Sequence, residues 1–233
     1  MHKNGENIVE LQGYQLKMGK IKRILFVCFI TSMILSLASI IMLGLFHIAG
    51  VFTIHTGNAP KYAEPFTYPG WQSLYGFGGS MIIQGYDENT FDILMISAIF
   101  LPLIGGIVTS IMMLTNFKRR GTNKKKAILE FIMAGLLIFS GIVILLCDKV
   151  WILNASKVGT GSYANYYTDY LIPAIEGQDG GYFHLEAYPI ILGIVCLVTS
   201  LVKIGNGTLL LYQRKVAKDF KMSQTTIQVE EKQ

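Results

Sequence analysis

Charge is scarce in this chain. Asp, Glu, Lys and Arg together make up 15% of its 233 residues, against roughly a quarter in soluble domains. A water-facing surface of ordinary extent cannot be built from so few charges, so the one or two soluble domains that length alone suggests are disfavoured. Cysteine is scarce too. Cys28, Cys147 and Cys196 all fall inside apolar runs, which excludes an ectodomain stapled by disulfides. Cys28 belongs near the inner end of its run and Cys147 near the outer end of its own. They are not a redox pair, and the three thiols read as small packing residues.

Signatures of catalysis are missing as well. There is no phosphate-binding loop, no Gly-x-Ser-x-Gly and no His-Glu-x-x-His, the patterns that place a nucleophile, a phosphate cradle or a metal. The stretch from Glu176 to Gly181 lacks the acid spacing of a calcium loop. The histidines are His2, His47, His55 and His184, with no ligand spacing among them. The last three, together with Glu64, Asp87, Glu88, Asp179 or Glu186, are the one route to a metal or haem site. The expectation is a protein without a cofactor or a metal that is not an enzyme.

Apolar residues are abundant, at 52% of the chain, and mean hydropathy is +0.45. Four runs carry this excess. Ile24 to Phe46 is 23 residues without a charge, and Ile93 to Phe117 is 25. Ala127 to Cys147 is 21 residues interrupted only by Glu130, and Ala187 to Val202 resumes after Lys203 as far as Tyr212. Each approaches the ~20 residues that cross a ~30 Å hydrocarbon core. The predicted fold class is an all-α integral membrane protein, a four-transmembrane-helix bundle. Its spans lie at about 24–50, 91–117, 127–148 and 187–212. Residues 1–23 and 213–233 are the terminal segments, 118–126 an inner loop, and about 51–90 and 149–186 two outer loops. The first run is longer than the about 7–15 apolar residues of a signal peptide, so it reads as a retained helix.

Lys and Arg set the orientation. Residues 1–23, 118–126 and 213–233 hold sixteen of them, whereas the opposite side has only Lys61, Lys149 and Lys157. Both termini are therefore expected in the cytoplasm, in the cell membrane. The basic clusters abut the spans and lack interleaved aromatics, so lipid headgroups rather than nucleic acid are their expected partners.

The outer loops are rich in aromatics. Trp71 to Phe77 and Ser80 to Tyr86 flank Gly78-Gly79, which predicts a small β-hairpin with Tyr75 facing Ile82 and Trp71 facing Tyr86. Tyr163, Tyr166, Tyr167 and Tyr170 follow helical spacing after Ser162 and before Pro173. They predict one aromatic helical face, either interfacial or a platform for a sugar or partner. Asn154-Ala-Ser156 is a glycosylation sequon close to the third span.

Two charges lie within the spans. Glu130 is about one turn from the inner end of the third. Lys203 is sixteen residues past Ala187, or ~24 Å along a helix, which brings it to a similar depth. Antiparallel third and fourth spans would let them form a structural ion pair; snorkelling and a transport site are the alternatives. Small residues recur at packing intervals, as Ser32, Ser36 and Gly44 in the first span and Ala98, Pro102, Gly106 and Ser110 in the second.

The layout resembles the claudin-like tetraspan proteins: four spans, termini inside, two outer loops and an aromatic first loop. Gly70-Trp71 and Ser73-Leu74-Tyr75 echo that family's tryptophan and Gly-Leu-Trp elements. Its paired first-loop cysteines are absent here. The expected function is an accessory, adhesion or assembly subunit acting through its outer loops on other membrane subunits or on its own copies. A small oligomeric channel or transporter with Glu130 and Lys203 near the path is the alternative, and a membrane enzyme or metal or haem binder using the outer histidines the second.

Overall fold

A computed structural model of the chain describes residues 2–55, 66–69, 90–116, 123–149, 176–177 and 180–230. Helix α1 (His2–Leu45) leads into strand β1 (Gly50–His55), and strand β2 (Phe66–Pro69) follows. Helices α2 (Thr90–Asn116) and α3 (Asn123–Leu145), strand β3 (Tyr182–Leu185) and helix α4 (Ala187–Glu230) complete the order. The described chain is mostly helical. Among the described residues three helices, at Leu11–Leu45, Lys124–Leu145 and Ala187–Ser223, are long and apolar enough to cross a membrane, and α2 carries a shorter apolar stretch, Ile96–Val108. In hydrocarbon every backbone N–H and C=O must be satisfied within the segment, which the helix achieves by itself. Phe26, Val27, Met33, Ile34, Leu37 and Leu201 are all more than half exposed. Such a surface suits lipid and would drive aggregation in water. The chain is a membrane protein.

Two findings add to the sequence reading. First, the mostly helical fold also carries a small sheet. The β-branched and aromatic run Val51-Phe52-Thr53-Ile54 pairs antiparallel with β2 on one side and β3 on the other, in the order β2-β1-β3. The first span, expected to reach residue 50, leaves the helix at Leu45, and Gly50 already belongs to the sheet. Second, α1 and α4 each run 44 residues, about 66 Å at 1.5 Å per residue, and so include the two terminal segments read only as cytoplasmic flanks. The predicted hairpin of residues 71–86 and the tyrosine face of residues 163–170 lie outside the described residues.

The chain divides into two compact units, one of Met1–Ser36, Ile107–Gly135 and Thr199–Gln233 and the other of Leu37–Gly106 and Leu136–Val198. In the first, α1 and α4 pair antiparallel: contacts step from Leu35–Thr199 through Ser32–Lys203 and Cys28–Asn206 to Tyr14–Phe220. The Tyr14 and Phe220 rings stack at 3.9 Å, and the Lys17 ammonium lies 5.9 Å from the Tyr212 ring centre. These contacts hold the helical extensions together beyond the apolar runs. In the second unit, α3 and α4 approach so closely that a Cβ on Gly141 would sit 2.9 Å from the Gly193 carbonyl, and one on Gly193 would sit 2.5 Å from Leu145 Cγ. Only glycine permits that backbone contact, the usual route to tight packing where lipid removes the hydrophobic drive.

Candidate functional site

Three polar clusters are built inside these units. In the first unit, Lys203 of α4 places Nζ 3.2 Å from Glu130 Oε2 of α3 and 3.3 Å from Ser32 Oγ of α1. The side chains of Lys203 and Glu130 are only 10% and 3% exposed. An ammonium has three donors, and here two of them bridge to two other helices. The ion pair is therefore a three-helix brace with each charge neutralised by the other. One turn along α4, Asn206 donates from Nδ2 to the Cys28 carbonyl at 3.3 Å, while its buried Oδ1 meets no partner among the described residues. Sequence spacing alone singled out Glu130 and Lys203. It missed Asn206, whose signal was a lone amide in an apolar run.

In the second unit, Pro102 lies inside α2. Proline has no N–H, so the carbonyl four residues earlier, that of Ala98, loses its helical donor. Ser140 of α3 donates its hydroxyl to that carbonyl at 2.6 Å. The serine thus replaces the bond that the proline removes, as a buried backbone group requires. Ser140 was absent from the candidate residues.

The sheet forms the third cluster, also in the second unit. Thr53 is its hub: it donates to the Glu186 carboxylate and lies 2.6 Å from Thr67 Oγ1. A hydroxyl has one proton, so Thr67 must donate to Thr53. His184 Nε2 lies 3.2 Å from the same Glu186 oxygen, and the Glu186 N–H bonds the Val51 carbonyl at 2.9 Å. Glu186 sits between β3 and α4, so the start of the last helix is tied to the strand that follows the first. Strand alternation puts Thr53, His55, Tyr182 and His184 on one face. His55 packs on Tyr182 at 5.2 Å and Tyr182 on His184 at 5.6 Å. On the opposite face Phe52 meets Phe183 at 5.6 Å.

The remaining sequence candidates distribute as follows. His47 packs edge-on against Phe100 at 6.0 Å, whereas His55 and His184 each pack on Tyr182. Among the described residues no group of three or more His, Cys, Asp or Glu is arranged to hold a metal ion. Ser32, Ala98, Pro102 and Gly106 are buried, and Ser36 donates to the Ser32 carbonyl one turn back. Among the described residues no atom lies within 4 Å of a notional Cβ on Gly44. Ser110 lies on α2. Trp71, Tyr75, Tyr163, Tyr166, Tyr167 and Tyr170 fall outside the described residues. Comparison with protein-family models, with curated proteins and with solved structures finds no match for this chain.

Proposed function

We propose that the chain is a four-span protein of the cell membrane, with both termini in the cytoplasm, that serves as a non-catalytic accessory, adhesion or assembly subunit. The observation that carries this reading is the closed Glu130–Lys203–Ser32 brace. A transport site needs a charge that can change partners, whereas these two are buried, mutually neutralised and shared among three helices. The fourth crossing is assigned to α2, whose 27 residues span about 40 Å. Orientation follows the Lys/Arg asymmetry. The sheet supports an outward role, since it joins the segments flanking the first and last spans and leaves Tyr182 and His184 exposed. Its partners are other membrane-protein subunits or further copies of the chain, not nucleic acid.

Purification in a mild detergent, with the mass of the intact complex and reconstitution into proteoliposomes, tests this. A defined stoichiometric complex without ion or proton flux is the expected result. Flux that Glu130→Gln abolishes would replace this reading with a transporter.

A further inference from the structure

One face of α1 carries an open groove of about 510 Å³ lined by Gln12, Gln15, Leu16, Gly19, Lys20 and Arg23. These positions fall on a single helical stripe, and Gly19 at its middle has no atom within 4 Å of its notional Cβ among the described residues. The groove starts at Arg23, the residue before the apolar run that opens at Ile24. It extends over twelve residues to Gln12, a rise of about 16 Å at 1.5 Å per residue. The headgroup layer of a bilayer is roughly 6 Å deep on each side. Arg23 and Lys20 therefore lie at the depth of lipid phosphates, and Gln15 and Gln12 beyond them.

Charge selects the occupant. Lys20 and Arg23 are exposed, as are Lys124 and Lys125 on α3 and Arg214 and Lys215 on α4. Among the described side chains of this unit the carboxylates are Glu130, bonded to Lys203, and Asp219. Among these described side chains positive charge predominates, and a guanidinium beside an ammonium suits a phosphate's oxygens. Leu16, 69% exposed, gives the groove an apolar wall, and the two glutamine amides offer donors and acceptors to the outer part of a headgroup.

We infer that this groove binds an anionic phospholipid, with the phosphate against Arg23 and Lys20 and the polar headgroup reaching towards Gln15 and Gln12. The inference rests on the reading that α1 crosses the membrane. It goes beyond the general attraction of basic flanks to acidic lipid, because it assigns a local site whose loss a charge change elsewhere does not imitate.

Native mass spectrometry of the full-length protein, titrated with phosphatidylglycerol against a phosphatidylcholine background, reads out bound lipid directly. Lys20→Gln with Arg23→Gln should lower apparent affinity by roughly tenfold or more, the scale of two cation contacts at a membrane surface. Lys124→Gln with Lys125→Gln removes equal charge outside the groove and should change it less than threefold. Unchanged melting temperatures in both variants show that folding is intact. Equal losses in the two variants would mean a diffuse basic belt and overturn the site, as would no loss in the first. Competition by free glycerophosphate at matching concentration would reassign the groove to a soluble phosphate. Release of the chain by alkaline carbonate extraction would sink the membrane reading itself, whereas a chain that stays in the membrane but shows no preference for phosphatidylglycerol sinks only the groove.

Discussion

Ser140 places its hydroxyl 2.6 Å from the Ala98 carbonyl, the carbonyl that Pro102 leaves without a helical donor. Residues on two helices thus compensate a defect created within one of them. Ser140→Ala should strand a buried carbonyl and destabilise the protein by about 1–3 kcal/mol. Adding Pro102→Ala restores a backbone N–H to the same carbonyl, so the double variant should regain most of the loss. Thermal unfolding of the three variants in detergent checks this; strictly additive losses would show that the serine does not serve the proline's orphan.

The Glu130–Lys203 pair yields a second cycle. Lys203→Met alone leaves a buried carboxylate uncompensated, at a cost of about 3–5 kcal/mol by analogy with other broken buried pairs. Glu130→Gln with Lys203→Met should recover more than half of that loss in melting temperature. Two single effects that merely add would make the pair incidental.

Close packing of α3 on α4 predicts a contrast between two glycines. Gly193→Ala should destabilise, because its Cβ would meet Leu145 and the Gly141 carbonyl, and Leu145→Ala should relieve part of that clash. Among the described residues Gly205 has no atom within 4 Å of its notional Cβ. Gly205→Ala should therefore be neutral or stabilising by up to about 1 kcal/mol through helix propensity. Detergent melting curves distinguish the two; equal destabilisation at both would contradict the crossing geometry.

Topology is tested by labelling. On a background with Cys28, Cys147 and Cys196 replaced, Tyr182→Cys should react with an impermeant maleimide on intact cells. Lys124→Cys should react only after permeabilisation. Both native residues are exposed, so accessibility is decided by the side of the membrane. Reaction at Lys124→Cys from outside would reverse the orientation.

Uncharged runs determined, from sequence alone, that the chain belongs in a membrane and where three of its long apolar helices lie. The physical reason is that the bilayer imposes length and polarity on each segment separately, so neighbours need not be known. Glu130 and Lys203 stood out for the same reason, as rare charges in apolar runs, and helix rise sufficed to set them at similar depth. Only the tertiary structure decided the rest. The β2-β1-β3 sheet joins Phe52 to Leu185 across more than a hundred residues, and no local period announces a strand whose partners lie that far away. That α1 and α4 continue as helices past their apolar runs rests on long-range contacts such as Tyr14–Phe220, because an amphipathic helix in water draws its stability from packing rather than propensity. Ser140 looked like one more small residue in a span. Its role appears only where the α3 backbone brings it to the carbonyl that Pro102 leaves open.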